Sequence, residues 1–194
     1  MPQHGSYTQS TMKSARIKRP PDLSNATFTQ RFAYFFASTF YTGSLPASGT
    51  WGALVAWALH VFLFPDAFTL ENAWLGATIF LVVTAFGFWC SDVVEKMTGD
   101  KDDSRVTIDE VAGYYMAVLF VPAGLEYTIP AFCLARFFDI IKPPPANQLQ
   151  NLRGGAGIMV DDLIASVYAL ICIHIYVAMG WGEAVRSILT PVSY

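Results

Sequence analysis

Acidic residues are concentrated in two windows of this 194-residue chain. Seven of the fifteen lie between Asp92 and Glu110, and the second window holds Asp139, Asp161 and Asp162. Five carboxylates brought together without a counter-charge would repel one another and be driven toward protonation. A divalent cation relieves that repulsion, and carboxylate oxygens are ligands that Mg²⁺ prefers. The clustering therefore predicts a metal site, the alternative being an acidic loop that faces water.

The pair Asp109 and Glu110 is predicted to stand in the first turn of a helix that continues as VAGYYMAVLF. Acidic residues are ordinary at such a position, because they offset the partial positive charge of a helix N-terminus. Adjacent carboxylates point about 100° apart on a helix, so one can hold a metal while the other orients a water molecule. Both residues are therefore candidates for metal binding and catalysis.

Arg136, Asp139 and Lys142 recur at steps of three in RFFDIIK and so share one helical face. A salt-bridged stripe is the simplest account of that spacing. The stripe lies at the end of an apolar segment, however, and the three prolines at 143–145 end the helix abruptly. Cations on either side of a carboxylate suit a phosphate group that is held near a metal.

A glycine-rich segment leads from Arg153 through Gly155 toward Asp161 and Asp162, where the last apolar run opens. Glycine backbone ahead of a helix can present several N–H groups to an anion. The twin aspartates would be unremarkable as helix caps. As hard oxygen ligands, they would complete a Mg²⁺ site with the three carboxylates already described.

The composition points to a membrane, because 54% of the residues are hydrophobic and only 14% are charged, against about 25% charged in average soluble domains. Residues 72–91 contain no charge, and twenty residues at 1.5 Å each match a hydrocarbon core of about 30 Å. Residues 163–182 form a second apolar run of that length, interrupted only by His174. Both runs are predicted to cross the membrane.

Three further apolar segments complete the predicted fold. Residues 49–64 read as a helix, and residues 111–135 as two helices around a break near 123–128, where proline and glycine are frequent. Residues 32–46 are aromatic but short, which favours an interfacial or re-entrant helix. The fold class is therefore all-α: a polytopic membrane helical bundle with about four transmembrane helices plus short interfacial or re-entrant helices.

The chain divides at about residue 30 in this interpretation. Residues 1–30 are polar and basic and read as a disordered cytoplasmic tail, whereas 31–185 form the membrane domain. Positive charge tends to stay in the cytoplasm, so the next two apolar segments form a hairpin that returns 92–110 to that side. The two helices predicted within residues 111–135 cross the membrane outward and then back. This places residues 136–162 on the cytoplasmic side as well. Both acidic windows are thus predicted to lie on the cytoplasmic face.

Three blocks carry a resemblance to a known family. They are SLPASGTWGAL from Ser44, VTIDEVAG around Asp109, and RFFDIIKPPPANQLQNLRGGAGIMVDDLIAS from Arg136. In order and spacing they resemble the phosphatidylglycerophosphatase A family of small bacterial membrane phosphatases. The resemblance implies Mg²⁺-dependent hydrolysis of phosphatidylglycerophosphate to phosphatidylglycerol and phosphate in phospholipid biosynthesis. It also implies a multi-pass protein of the inner membrane with its site facing the cytoplasm, whose partners are the phospholipid substrate and the bilayer rather than nucleic acid.

The resemblance extends to individual positions, with one departure: Ser48 and Ala53 stand where the family commonly has proline and serine. The catalytic candidates are Asp109, Glu110, Asp139 and Asp162. The metal-ligand candidates are these four and Asp161. The candidates for binding the substrate phosphate are Arg136, Lys142, Arg153, Thr50 and Gly155.

Three other classes of protein are alternatives. An ion or proton transporter could use intramembrane carboxylates, but it would place them near the middle of its spans, whereas these fall at span ends. A CDP-alcohol phosphotransferase would also cluster aspartates, but its Asp-Gly-x-x-Ala-Arg pattern is absent from the sequence. A purely structural membrane protein would give no reason for the clustering.

Overall fold

The computed structural model describes residues 19, 21–100, 103–149 and 155–189. Its α-helices, in chain order, are α1 (Phe28–Ala37), α2 (Ser48–Leu63), α3 (Ala73–Thr98), α4 (Ile108–Ala117), α5 (Leu125–Ile141), α6 (Ala146–Leu149), α7 (Gly155–Ala178) and α8 (Trp181–Leu189). A short 3₁₀ turn, Thr42–Ser44, precedes α2. The described ranges contain no β-strand, which confirms the all-α class.

Helix α1 begins inside the segment predicted to be a disordered tail. Thr27 caps it: the Thr27 side chain accepts from the Gln30 amide at 3.3 Å, and the Gln30 side chain accepts from the Thr27 amide at 2.9 Å. This reciprocal capping box fixes the first turn from Phe28. Most of the predicted tail, residues 1–18 and 20, lies outside the described residues.

The predicted 32–46 segment is a short helix followed by turns. Helix α1 ends at Ala37, and the next turn places Thr39, Phe40 and Tyr41 at positive φ. Three such residues in succession cannot continue a right-handed helix. The ten residues of α1 span about 15 Å, too little to cross a bilayer.

Within the part of the chain that the structure describes, two helices are long and apolar enough to cross a membrane, α3 and residues Gly157–Ala178 of α7. Helix α3 runs past its predicted end at residue 91 and stops at Gly99, whose φ of +71° gives the left-handed cap that ends many helices. Helix α7 begins earlier than predicted, at Gly155 instead of residue 163. Asp161 and Asp162 are therefore within the helix and not at its cap.

The predicted break between two helices is confirmed, although it falls earlier, at 118–124. Gly124, at φ +135°, precedes α5. Pro130 lies inside α5 and not in the break. A proline there removes the amide that would bond the carbonyl four residues back, that of Glu126, and Tyr176 Oη donates to this carbonyl instead at 3.1 Å.

Helix α4 is the centre of the bundle, with most of its side chains buried. It packs against α2, α3, α5 and α7. Its approach to α7 needs a glycine, since a Cβ on Gly113 would lie 2.6 Å from Ser166 Oγ. Its N-terminus is tied to α1 by Thr107, whose amide donates to the Ala37 carbonyl at 2.7 Å. The start of α4 is thereby fixed beside the end of α5 and the start of α7.

Candidate active site

The last turns of α5 carry the predicted charged stripe. Asp139 lies between two cations, with Oδ2 3.1 Å from Arg136 Nη1 and Oδ1 3.6 Å from Lys142 Nζ. The prediction that these residues share one face is confirmed. Lys142 caps the helix at φ 45°, and the three prolines follow directly, so the chain leaves α5 where the stripe ends.

Lys142 connects α5 to α7. Its ammonium group donates to Asp161 Oδ2 at 2.5 Å and to Asp162 Oδ1 at 2.6 Å. Burial alone would lower the pKa of Lys142, but the neighbouring carboxylates, led by Asp162, outweigh it and raise this pKa above its usual value. The lysine therefore stays charged among three carboxylates.

Arg136 connects α5 to α4 in the same way. Its guanidinium group donates to Glu110 Oε2 and also pairs with Asp139. The N-terminus of α2 packs against this ion pair. A Cβ on Gly49 would overlap with Glu110 Oε1 and lie 3.0 Å from Arg136 Nη2. Three helices thus meet at one ion pair, and the fit requires glycine at position 49.

Asp109 is buried beside Glu110 in the first turn of α4, as predicted. Its Oδ1 accepts from the Glu110 amide at 3.0 Å. Burial, assisted by the Asp139 carboxylate, raises the pKa of Asp109 to about 7. The same two causes raise the pKa of Glu110 well above its ordinary value.

One cavity of about 630 Å³ collects most of the predicted site. Its lining includes Thr50, Asp109, Glu110, Arg136, Asp139, Lys142 and Asp162. Asp161 is not among the lining residues: one of its oxygens holds Lys142, and Oδ1 is buried without a hydrogen-bond partner among the described residues. Gly155 begins α7, and Arg153 lies outside the described residues.

The sequence interpretation named Thr50 but missed the rest of one wall of this cavity. The wall comes from the start of α2 and the loop after α3, where Ser48 Oγ donates to the Ser104 carbonyl at 2.9 Å. Asp103 also lines the cavity, but both its oxygens are bonded to Arg105, at 2.7 and 2.6 Å. The retained glycines of the GTWG block were the available signal for this wall, because glycine permits close helix contact.

The donor set fits a divalent metal ion. Glu110, Asp139 and Asp162 each offer one carboxylate oxygen, and these oxygens lie within 4.8 Å of one another. Hard oxygen ligands of this kind suit Mg²⁺, which takes a few carboxylates and retains waters. The five carboxylates of the site also outnumber the two cations, Arg136 and Lys142, described beside them.

The fold and the site together define a class of protein: a helical bundle with membrane-length apolar helices and a carboxylate-rich, phosphate-compatible cavity at one end. The chain belongs to the phosphatidylglycerophosphatase A family, whose model matches residues 35–177. The resemblance found in the sequence is confirmed. The protein is accordingly a lipid phosphatase, a phosphoric monoester hydrolase.

Three relatives support this assignment. A protein of Bacteroides thetaiotaomicron named "Putative phosphatidylinositol-3-phosphatase" is 38% identical over 135 residues, 66% of this chain and 82% of the relative. The phosphatidylglycerophosphatase A of Haemophilus influenzae is 36% identical over 134 residues, 66% and 77% of the two chains. That of Escherichia coli is 27% identical over 160 residues, 79% and 88%. No solved structure matches the chain.

Proposed function

We propose that the protein hydrolyses phosphatidylglycerophosphate to phosphatidylglycerol and phosphate in a Mg²⁺-dependent reaction at the cytoplasmic surface of the inner membrane. The observation that carries the proposal is the meeting of three carboxylates, Glu110, Asp139 and Asp162, with two cations in one cavity. A phosphomonoester needs positive charge around its oxygens, and the bound metal and the two side-chain cations would provide it.

Lys142 and Arg136 are the proposed phosphate ligands. Both line the cavity and both are held in place by carboxylates, Lys142 by Asp161 and Asp162 and Arg136 by Glu110. Charge-assisted hydrogen bonds from such prearranged donors bind phosphate oxygens strongly. Because Asp161 holds Lys142 but does not line the cavity, its proposed role is to position that lysine.

Glu110, Asp139 and Asp162 are the proposed ligands of Mg²⁺, which when bound would neutralise the phosphate and polarise its oxygens. Asp109 lines the same cavity but lies outside this trio. We assign it as the group that accepts a proton from the attacking water. The water oxygen then bonds to phosphorus, the ester P–O bond breaks, and the departing glycerol oxygen takes up the proton that Asp109 accepted.

The proposed topology has four transmembrane helices, α2, α3, α5 and α7. Between α3 and α5 the chain makes one further passage, through α4 and the turn at 118–124. Helices α2 and α5, with 16 and 17 residues, extend about 24 and 26 Å, close to the thickness of the hydrocarbon core. Helix α4 has ten residues and reaches about half that depth. The basic residues before residue 32 favour a cytoplasmic location for the end of the bundle that carries the cavity.

A second candidate substrate is a phosphoinositide, because the relative from Bacteroides thetaiotaomicron bears the name of a phosphatidylinositol-3-phosphatase. Both candidates are membrane lipids with a phosphate monoester, so the same carboxylates and cations would serve either one. The head groups differ: one is a linear glycerol chain and the other is a ring. The two reactions are therefore distinguished by substrate preference and not by the site residues alone.

The experiment compares phosphate release by purified protein from phosphatidylglycerophosphate, phosphatidylinositol 3-phosphate and phosphatidic acid in the same mixed micelles with Mg²⁺. The proposal predicts the highest kcat/KM for phosphatidylglycerophosphate. A higher value for the phosphoinositide would replace the substrate and keep the site. Absence of turnover on all three would contradict the proposed reaction and favour the alternative of an ion or proton transporter.

A further inference from the structure

Helix α5 carries an exposed apolar stripe that ends in the active-site cavity. Ile129, Cys133, Phe137 and Ile140 follow one another at steps of four, four and three, so they share one helical face. All four are exposed; the fractions are 48% for Ile129, 53% for Phe137 and 73% for Ile140. Exposed hydrophobic residues scattered singly are common, but a continuous row along one helix indicates a contact surface.

Ile140 links this stripe to the cavity. Among the described residues that line the cavity, it is the one large hydrophobic side chain that is also exposed. Its neighbour in the chain, Asp139, is buried and belongs to the carboxylate trio. The cavity edge formed by Thr50, Asp100 and Ser104 is exposed but polar. A molecule that reaches the carboxylates from an apolar phase therefore has a continuous apolar path along α5.

The length of the stripe corresponds to one leaflet of a bilayer. Ile129 and Ile140 are eleven residues apart, which is about 16 Å along a helix. Half of a hydrocarbon core of about 30 Å is about 15 Å. Beside the stripe, Cys133 and Leu134 of α5 face Cys172 and Ile175 of α7 across an apolar groove of about 450 Å³. The stripe and groove together offer a surface long enough for a fatty acyl chain.

We infer that the α5 stripe is the binding surface for an acyl chain of the lipid substrate, with Ile140 as the residue where the chain gives way to the head group. The inference rests on the proposed function. A phospholipid phosphomonoester carries a charged phosphate and hydrocarbon chains in one molecule, and α5 presents a complementary surface to each. The residue pair Asp139 and Ile140 marks the boundary between them.

The test compares two substrates that share a head group: phosphatidylglycerophosphate in mixed micelles and its water-soluble, fully deacylated counterpart. The variant is the double substitution Phe137→Ala and Ile140→Ala. The matched control is Leu81→Ala with Val82→Ala, two residues of α3 that are 62% and 61% exposed and do not line the cavity. Alanine favours helix, so neither double variant opposes the fold.

We expect the ratio of kcat/KM for the acylated substrate to kcat/KM for the deacylated one to fall about tenfold in the α5 variant, mainly through KM. The α3 control should keep the wild-type ratio. An unchanged ratio in the α5 variant, or an equal fall in the control, would overturn the inference while leaving the proposed function intact. A wild-type protein that releases phosphate from neither substrate would overturn both.

Discussion

Gly49 lies directly against the carboxylate of Glu110, so closely that a Cβ at position 49 would overlap with Oε1. The two residues are 61 positions apart and belong to α2 and α4. Glu110 is in turn held by Arg136 of α5. Gly49 of the GTWG block therefore lies beside the acidic site, which explains why this block and the carboxylates belong to one site.

Gly49→Ala is expected to lower phosphatase activity by at least tenfold, with a smaller loss in the free energy of unfolding than breaking the Glu110–Arg136 pair alone would cause. The methyl group would displace Glu110, a proposed metal ligand, whereas alanine within a helix is favoured over glycine by about 1 kcal/mol. Phosphate release and thermal unfolding in detergent measure the two effects. Gly87→Ala is the control, because its Cβ would lie 2.8 Å from the flexible end of Met159 and in ordinary van der Waals contact with Ile108 Cγ1 at 3.6 Å. Equal activity in both variants would contradict the role given to the Gly49 contact.

Lys142→Asn is expected to lower both stability and activity. The substitution removes the cation that lies among three carboxylates, and breaking a buried charge cluster in this way costs about 3 kcal/mol. Asparagine is chosen because it tolerates the positive φ at this position.

Added Mg²⁺ separates the two roles of Lys142. The ion should restore much of the melting temperature of the Lys142→Asn variant, because it compensates the same carboxylates. It should not restore phosphate release, because the phosphate ligand is still missing. Recovery of activity together with stability would show that Lys142 serves only to balance charge.

The metal-free protein is expected to lose stability as the pH rises from about 4 to about 7. The pKa of Asp109 is about 7 in the folded protein and 3.8 as its ordinary value, so the folded state binds the extra proton between these values. The stability this proton provides is complete below about pH 3.8 and is lost as the pH rises through about 7. Thermal unfolding with a chelator measures the slope. Asp109→Asn should flatten it, and an unchanged slope would contradict the assignment to Asp109.

The helices and the site residues were predictable because of simple periodicities and topology. Segments without charge predicted α3 and α7, and the predicted alternation of crossings placed the ends of α3 and α5 on the side where α4 and α7 begin. The stripe Arg136, Asp139 and Lys142 followed from steps of three. In each case, the decisive signal is local in the sequence.

The predicted start of α7, at residue 163, is wrong because the glycines before it favour a loop over a helix. Two glycines in a helix cost about 1 kcal/mol each relative to alanine. Burial of Ile158 and Met159 in the core exceeds that cost, since a buried side chain of this size contributes about 1.5–3 kcal/mol. Tertiary packing thus extends the helix back to Gly155 and moves Asp161 and Asp162 inside it.

The pairing of individual charges could not be predicted. Arg136 contacts Glu110, and Lys142 contacts Asp161 and Asp162, although either cation could have reached either helix by sequence spacing. The choice depends on the crossing of α4, α5 and α7, which is set by contacts such as that of Gly113 with Ser166. Long-range packing of this kind leaves no local signature.

We propose that the carboxylates of α4, α5 and α7 hold one Mg²⁺ ion that phosphate release requires. The most direct measurement is phosphate release from phosphatidylglycerophosphate during a Mg²⁺ titration of chelator-treated protein. Asp139→Asn and Asp162→Asn are compared in it with Glu126→Gln, a carboxylate at the other end of α5 that pairs with Arg186.

We expect no phosphate release without Mg²⁺. The activity of the wild type and of Glu126→Gln should recover fully as Mg²⁺ is added. Asp139→Asn and Asp162→Asn should retain less than about one hundredth of the wild-type kcat, or require far more Mg²⁺, because each loses a ligand oxygen. Phosphate release that survives chelation would show that the reaction does not require Mg²⁺. Wild-type activity and Mg²⁺ affinity in both Asp139→Asn and Asp162→Asn would show that these carboxylates do not hold the ion.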